Sequence, residues 1–244
     1  MGEQAENQDL LGAKNAFVKE SIHSQYSYNF SWLGRPIINY PLDIVAVQEL
    51  IWKVKPDLII ETGIAHGGSL LLSVSRLALL EYCDAEKNRE LLDPANPRRK
   101  VLGIDIDIRA HNREAIEAHP LFSRVEMIEG SSIDDSIISK VRDCAKGSEK
   151  IMVFLDSNHT HEPVVKELEA YAPLVTKGSY CVVFDTLVED MPKDTFPDRP
   201  WDLGNNPKTA VWEFLKSHKE FIIDKKIENK LLITVAPDGY LKRI

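Results

Sequence analysis

The chain has little cysteine, no basic cluster and no long apolar run. Its 244 residues include three cysteines, and their odd number and lack of metal-type spacing favour reduced thiols in a cytoplasmic protein. The formal net charge is −8 and the Lys and Arg residues are scattered, so nucleic acid is not an expected partner. No apolar run approaches the roughly 18–20 residues of a membrane span. The length is sufficient for one large α/β domain with a full core.

The usual phosphate-binding motifs are also absent. The sequence has no G-x-x-x-x-G-K-[ST] loop and no G-x-G-x-x-G fingerprint. It has E-x-G-x-x-x-G-G instead, in which a short apolar run ends in Glu61, a glycine turn follows, and a helical pattern starts at Ser69. A strand, a glycine turn and a helix N-terminus together are typical of a nucleotide site in an open α/β sheet.

The acid at the end of this strand narrows the choice of ligand. Glu61 would repel a pyrophosphate but suits a cationic ligand such as S-adenosylmethionine (SAM), which has a sulfonium, an ammonium and no phosphate. The motif therefore predicts SAM contacts at Glu61, Gly63, Gly67, Gly68 and Ser69, with an ordinary glycine-rich turn as the alternative.

A second apolar run, residues 101–104, ends in Asp105. An acid at the tip of the second strand commonly bonds a ribose diol, so Asp105 is the candidate ribose ligand. The alternative is a solvated acid in a loop.

Strand and helix patterns alternate along most of the chain. Strands are predicted at 57–61, 100–105, 124–129, 150–155 and 179–184, and helices at 68–83, 110–118, 133–145 and 163–174. This alternation predicts a Rossmann-like α/β fold with a mostly parallel seven-stranded sheet and helices on both faces. After a helix at 207–217, apolar runs at 219–223 and 231–236 flank a charged turn at 224–230 and predict a C-terminal antiparallel hairpin. We expect a polar and aromatic N-terminal extension over residues 1–30 and a single domain over residues 31–244.

Acids also follow the fourth and fifth predicted strands. Asp156 comes directly after one apolar run and Asp185 directly after the next. Because the carboxyl ends of parallel strands share one edge of a sheet, we expect the two carboxylates to face each other beside the cofactor. Such a pair is typical of a Mg²⁺ site, and the alternative is two acids that only accept hydrogen bonds from loop N–H groups.

Two histidines, His159 and His161, lie in the loop after Asp156. A histidine beside a SAM site is suited to removing the proton of a substrate hydroxyl. Alternatively, either histidine caps the helix that starts near Pro163. Both are catalytic candidates, and the sequence leaves open which one acts.

Several motifs spread along the chain carry a family resemblance. They are Trp32-Leu33-Gly34, Glu61-Thr62-Gly63, Gly67-Gly68-Ser69, Leu155-Asp156-Ser157-Asn158-His159-Thr160-His161-Glu162, Gly178-Ser179-Tyr180, Gly204-Asn205-Asn206-Pro207 and Asp238-Gly239-Tyr240-Leu241-Lys242. Together, over residues 30–244, they resemble the cephalosporin hydroxylase family. That family is similar in fold to class I SAM-dependent methyltransferases, and some relatives look like sugar O-methyltransferases of cell-surface glycans.

The resemblance implies a Mg²⁺-assisted, SAM-dependent O-methyltransferase that acts on a sugar, glycan or other small molecule in polysaccharide or secondary-metabolite biosynthesis. It implies further SAM contacts at Ser131, Ser132 and Asp156, and a metal site at Asp156 and Asp185 with Thr186 as an additional ligand. The chain departs from the family pattern at Phe184, where many members have glutamate, and at Pro163, where a histidine is common.

Two alternatives to this function stay open. The first is a SAM-binding accessory protein with little catalysis, which the missing glutamate supports. The second is a hydroxylase, although we find no convincing iron site of two histidines and one carboxylate. We expect the substrate to lie under the long segment 187–206, with Tyr28 and Trp32 either lining the same pocket or packing in the core. The oligomeric state is open, and a homo-oligomer is compatible with the sequence.

Overall fold

The computed structural model describes residues 2–244, in which a seven-stranded sheet forms the centre of the fold. Its strands are β3 (Leu58–Thr62), β4 (Lys100–Asp105), β5 (Val125–Glu129), β6 (Ile151–Leu155), β7 (Tyr180–Val183), β8 (Phe221–Ile223) and β9 (Tyr240–Arg243). The order is β5-β4-β3-β6-β7-β9-β8; the first five are parallel, and β9 is antiparallel to both of its neighbours. Two short strands, β1 (Phe30–Trp32) and β2 (Arg35–Ile37), pair separately. The predicted mostly parallel sheet is confirmed.

Helices cover both faces of this sheet. They are α1 (Gly2–Glu6), α2 (Gln8–His23), α3 (Pro41–Val54), α4 (Gly68–Asn88), α5 (Ala110–Glu117), α6 (Asp135–Ala145), α7 (His161–Tyr171), α8 (Pro207–Ser217) and α9 (Lys225–Leu231). Side chains of α3, α4 and α9 pack in the same cluster as Ile59 of β3, while those of α6, α7 and α8 pack in the cluster that contains Ile60. Successive strand residues point to opposite faces, so fully apolar runs are required where both faces are covered.

The end of the chain differs from the prediction in two respects, of which the first is the second strand of the hairpin. The antiparallel pair is present, but its second strand is β9, and the expected strand at 231–236 is wrong. The buried carboxylate of Asp43 in α3 accepts hydrogen bonds from the Thr234 hydroxyl, from the Val235 N–H at 2.9 Å and from the Tyr240 hydroxyl at 2.7 Å. These bonds hold residues 234 and 235 against α3 instead of in the sheet.

The expected charged turn at 224–230 is also wrong, since this stretch forms helix α9. The Asp224 carboxylate accepts a hydrogen bond from the Lys226 N–H and caps the helix. Ile227 and Leu231, one helical turn apart, are buried in the core.

The N-terminal helices pack on the rest of the protein. Val18 of α2 is buried in a cluster with Tyr40, Leu187 and Met191, and the Ser21 hydroxyl lies 2.6 Å from the Tyr40 hydroxyl. We call these four apolar residues the N-terminal cluster. In the described part of the chain, no helix combines the length and the apolar character that crossing a bilayer requires.

Candidate functional site

A cavity of about 240 Å³ opens at the edge of the sheet where the parallel strands end. Seven of the predicted site residues line it: Gly63, Gly68, Ser69, Asp105, Asp156, His159 and Asp185. The other walls come from Tyr28, from residues 36–39 at the end of β2 and just beyond it, and from His66 and its neighbours in the glycine turn. The edge that the sequence predicted is therefore the edge where the structure has its cavity.

The glycines of the turn after β3 are required by the protein backbone. Gly63 has a φ of +88°, and a Cβ there would lie 2.1 Å from the carbonyl oxygen of Asp156. A Cβ on Gly68 would lie 2.2 Å from the carbonyl oxygen of Pro36. Gly67 does not line the cavity, because it faces the side chain of Ile116. These glycines are predicted SAM contacts, and at these positions they also allow chain segments to approach each other.

Asp105 holds the same turn in place. One of its carboxylate oxygens accepts hydrogen bonds from the backbone N–H groups of Ile64 and Ala65, at 2.8 and 3.1 Å. The other accepts a bond from the Asp107 N–H at 3.2 Å. Each oxygen can accept more than one bond, so Asp105 fixes the turn and still presents acceptors to the cavity.

Glu61 is a buried acid beside this cavity. Its side chain is 2% exposed, and neither carboxylate oxygen has a hydrogen-bond partner with regular geometry among residues 2–244. Burial raises the pKa of Glu61 to about 7, an effect that the nearby hydroxyls of Ser69 and Ser73 oppose. Glu61 and Asp156 line a smaller adjoining cavity, which shares Asn39 and Ser69 with the larger one. A buried, unpaired carboxylate is stabilised when a cation binds next to it.

Three side chains at the ends of β6 and β7 converge on one point. One ligand-type atom from each of Asp156, His159 and Asp185 lies within 4.8 Å of the other two. His159 Nδ1 is 3.2 Å from Asp185 Oδ2. Burial and the neighbouring carboxylate of Asp185 raise the pKa of Asp156 well above its usual value. Two carboxylates and an imidazole nitrogen at this spacing form a donor set that fits a divalent cation. We call these three residues the Asp-His-Asp cluster.

Trp201, in the segment 187–206, packs on this cluster. Its ring contacts the His159 ring edge to face, with 4.6 Å between the ring centroids, and the Arg199 guanidinium lies 5.1 Å from the centroid of Trp201. The backbone N–H of Gly204 and the side-chain amide of Asn206 both donate to Glu189, which ties the two ends of the segment together. That this segment acts as a lid over the substrate stays a prediction.

Two of the predicted site residues, one metal ligand and one catalytic histidine, point away from the cavity. The Thr186 hydroxyl is fully buried and donates to the carbonyl oxygen of Pro237 at 2.6 Å, so Thr186 as a metal ligand is wrong. His161 is the first residue of α7, where its Nδ1 lies 2.8 Å from the Thr209 hydroxyl and its Nε2 lies 3.0 Å from Glu213. Both ring nitrogens therefore contact α8, and His161 is not placed to act on a substrate in the cavity.

The serine loop after β5 is also turned away. Ser132 donates to the buried carboxylate of Glu167 at 2.5 Å, and neither Ser131 nor Ser132 lines the cavity. Phe184, at the position where many family members have glutamate, packs on Phe154 with 6.1 Å between ring centroids.

Of the two aromatic residues left open, Tyr28 lines the cavity, whereas Trp32 donates to the Ser75 hydroxyl of α4 at 3.0 Å. Sequence reasoning missed Asn39 and His66, which also line the cavity, because isolated polar residues in loops carry no periodic signal.

Comparison with known proteins identifies the family. The sequence matches the family described as Rhamnosyl O-methyltransferase/CmcI over residues 24–244. The chain belongs to this family. The predicted resemblance is thereby confirmed, and with it the prediction of a SAM-dependent methyltransferase.

Individual relatives show how similar the chain is. It is 29% identical to the rhamnosyl O-methyltransferase of Mycobacterium tuberculosis over 239 residues, which cover 93% of this chain and 85% of the relative. It is 27% identical to that of Mycobacterium leprae over 233 residues, which cover 93% and 90%. Among solved structures, CmcI with Mg and SAM has a TM-score of 0.58 at 17% identity, covering 89% of this chain and 77% of that chain. Apo CmcI has a TM-score of 0.57 at 16% identity, with the same coverage. At these identities the structures confirm the shared fold.

Proposed function

We propose that this protein transfers the methyl group of SAM to a hydroxyl group of a sugar, with a divalent cation such as Mg²⁺ held at Asp156 and Asp185. The observation that carries the proposal is a single cavity in which the glycine turn, Asp105 and the Asp-His-Asp cluster meet. The sugar acceptor is supported by the relatives named rhamnosyl O-methyltransferase and by membership of their family.

The part of the cavity nearest β3 and β4 is suited to SAM. Asp105 offers acceptors for a ribose diol, and residues 63–66 of the glycine turn line the cavity beside it. Glu61 supplies negative charge for a ligand that carries an ammonium and a sulfonium. A phosphate-bearing cofactor would meet three carboxylates here, from Glu61, Asp105 and Asp156.

The part nearest β6 and β7 is suited to the acceptor and the cation. Asp156 and Asp185 would hold the cation, since divalent cations of this kind commonly take one or two carboxylates together with water and substrate oxygens. When bound, the cation supplies positive charge that lowers the pKa of a coordinated hydroxyl. The chain orients the acceptor between this cluster and the cofactor, so that oxygen, methyl and sulfur can align.

The loops around the cavity exclude water from the reacting groups. Trp201 packs on His159, and Tyr28 with residues 36–39 lines the cavity. His159 was one of the two histidines predicted as general base, but its buried Nδ1 lies next to the Asp185 carboxylate. Metal binding therefore decides whether His159 is a base or a metal ligand.

One observation favours a second candidate function, that of an accessory SAM-binding protein with little catalysis. Phe184 brings an apolar ring, packed on Phe154, to the position beside Asp185 where many family members have a carboxylate. A hydroxylase has less support, because the cluster contains one histidine and two carboxylates rather than two histidines and one carboxylate.

The test is methyl transfer from isotope-labelled SAM to simple rhamnosides, with and without Mg²⁺. We expect labelled product from the wild type and a loss of at least about 100-fold with Asp185→Asn, since positioning and charge neutralisation both fail. The matched control is Glu162→Gln, an exposed acid at the start of α7 outside the cavity, which should behave as wild type.

Outcomes without transfer separate the alternatives. SAM binding without labelled product from any sugar would favour the accessory function, and Phe184→Glu would then be expected to restore transfer if only the cation site is weak. Absence of SAM binding at millimolar concentration would overturn both functions.

A further inference from the structure

The imidazole of His159 has an unusual position in the Asp-His-Asp cluster. Its Nδ1 is buried and lies 3.2 Å from Asp185 Oδ2, and one of its two ring nitrogens is within 4.8 Å of an Asp156 oxygen. Despite this proximity, Nδ1 has no hydrogen-bond partner with acceptable geometry in the described part of the chain. A buried ring nitrogen without a partner is unfavourable unless something occupies the space that it faces.

The surroundings keep the imidazole in this position. Trp201 packs edge to face on the ring, and the His159 side chain is 17% exposed. The backbone of Asp185 has a φ of +53°, and its carbonyl oxygen accepts the Val188 N–H at 3.2 Å in the turn that follows β7. Since β6 and β7 are adjacent parallel strands, Asp156 and Asp185 emerge side by side at the same edge.

The residues on either side of Asp185 provide no further oxygen to this point. Phe184 packs on Phe154, and the Thr186 hydroxyl donates to the carbonyl of Pro237. Among the His, Cys, Asp and Glu side chains of residues 2–244, the group that meets at this point is two carboxylates and one imidazole nitrogen.

The mixed donor set has a consequence for which ion is bound. Mg²⁺ strongly prefers oxygen ligands, whereas imidazole nitrogen suits first-row transition metals, with affinity generally rising from Mn²⁺ to Cu²⁺. We infer that His159 Nδ1 is the third protein ligand of the cation site, and that the site binds Mn²⁺ and Co²⁺ in preference to Mg²⁺. This inference rests on the proposed cation site and specifies its ligands and its metal.

A ligating His159 changes the division of roles at the site. Once its lone pair is in a metal bond, Nδ1 cannot accept the proton of a substrate hydroxyl. A bound cation would lower the pKa of the hydroxyl, whose proton would leave to solvent as the oxygen takes the methyl group, and His159 would hold the cation instead of acting as the base.

The test uses metal binding to the full chain before SAM is added. Protein freed of metal with a chelator is titrated with Mn²⁺ and with Mg²⁺, and the Mn²⁺ form is examined by pulsed electron paramagnetic resonance for coupling to ¹⁴N. The variants are His159→Asn, which replaces the nitrogen donor by an amide, and His161→Asn, a matched control in the same loop whose ring contacts α8.

We expect ¹⁴N coupling in the wild type and in His161→Asn, and its loss in His159→Asn. We also expect the ratio of Mn²⁺ to Mg²⁺ affinity to fall by at least about tenfold in His159→Asn and to stay unchanged in His161→Asn. Wild-type protein without ¹⁴N coupling, or an equal affinity ratio in all three proteins, would overturn the inference and return His159 to the role of base. The coupling measurement on wild type does not depend on the folding of any variant.

Failure here can be distinguished from failure of the proposed function. Methyl transfer to a rhamnoside with Mg²⁺, but without nitrogen coupling to Mn²⁺, would leave the methyltransferase proposal intact and remove His159 from the ligand set. Nitrogen coupling without methyl transfer to any sugar would support the cation site and contradict the proposed reaction.

Discussion

Replacement of the buried acid Glu61 by glutamine has two opposite expected effects, one on stability and one on SAM binding. The reference value of its pKa is 4.5, and burial raises it in the folded protein to about 7. Between these values the folded protein keeps a proton that the unfolded chain has released. The free energy of unfolding therefore falls as the pH rises from about 4.5 to about 7, and it stays at the lower level above that.

The size of this loss follows from the shift. A difference of about 2.5 pH units corresponds to about 3 kcal/mol. Because Glu61→Gln cannot ionise, the variant should be more stable than the wild type at pH 8 by up to about 3 kcal/mol, and this advantage should shrink toward pH 5. Urea denaturation of the SAM-free proteins at pH 5, 6, 7 and 8 measures both quantities.

SAM binding should change in the opposite direction. A cationic ligand favours ionised Glu61, so wild-type affinity should rise about tenfold from pH 6 to pH 8, as linkage to a pKa of about 7 requires. In Glu61→Gln this part of the pH dependence should disappear, and affinity at pH 8 should fall at least about tenfold through loss of a charge-assisted hydrogen bond. Calorimetric titration at each pH provides the affinities, with Glu162→Gln as the exposed control.

Two results would refute this reasoning. The first is a variant that is less stable than the wild type at pH 8, which would mean that ionised Glu61 contributes to the fold. The second is equal SAM affinity and an equal pH slope in both proteins, which would place the cofactor away from Glu61.

Three further predictions concern the turn, the covering segment and a buried ion pair. Gly63→Ala should lower the free energy of unfolding by at least about 2 kcal/mol in urea denaturation, because its Cβ would meet the backbone at the end of β6; a smaller loss would mean that the turn can move. Trp201→Ala should leave the SAM affinity measured by calorimetry unchanged. It should reduce acceptor turnover at least about tenfold, because His159 loses its packing partner. Unchanged turnover would argue against a covering role for Trp201. Arg124→Met should cost about 3–5 kcal/mol in thermal and urea unfolding by leaving Glu81 buried without its partner, and adding Glu81→Leu should recover much of that loss.

The parallel part of the fold was predictable because its strands are buried on both faces. A continuous apolar run such as 151–155, placed between two predicted helices, indicates a strand that is buried on both faces. Each such run ends at the edge of the sheet where the cavity lies. Helix α2 carries a much weaker signal, since only Val18 and Ser21 of its 16 residues are buried. Strand β9 is four residues long and ends in partly exposed Lys and Arg, so its pairing depends on distant contacts and not on its own pattern.

At the site, the sequence predicted which residues follow the strands but not where their side chains point. Asp156 and Asp185 lie at the shared edge because strand ends determine their position. The direction of the next side chains depends on the local backbone: the positive φ of Asp185 precedes the turn in which Thr186 is buried, and the start of α7 at His161 directs that ring toward α8. Such directions depend on the packing of elements that are far apart in sequence.

The N-terminal cluster links the beginning of the chain to the segment 187–206. Val18 of α2 shares this cluster with Leu187 and Met191, while Phe196 and Tyr26 pack against its edge. Regions that share buried contacts tend to open together in hydrogen exchange. We therefore expect amides of α2 and of the first part of segment 187–206 to exchange as one cooperative unit, so that loosening the N-terminal helices would also loosen this segment.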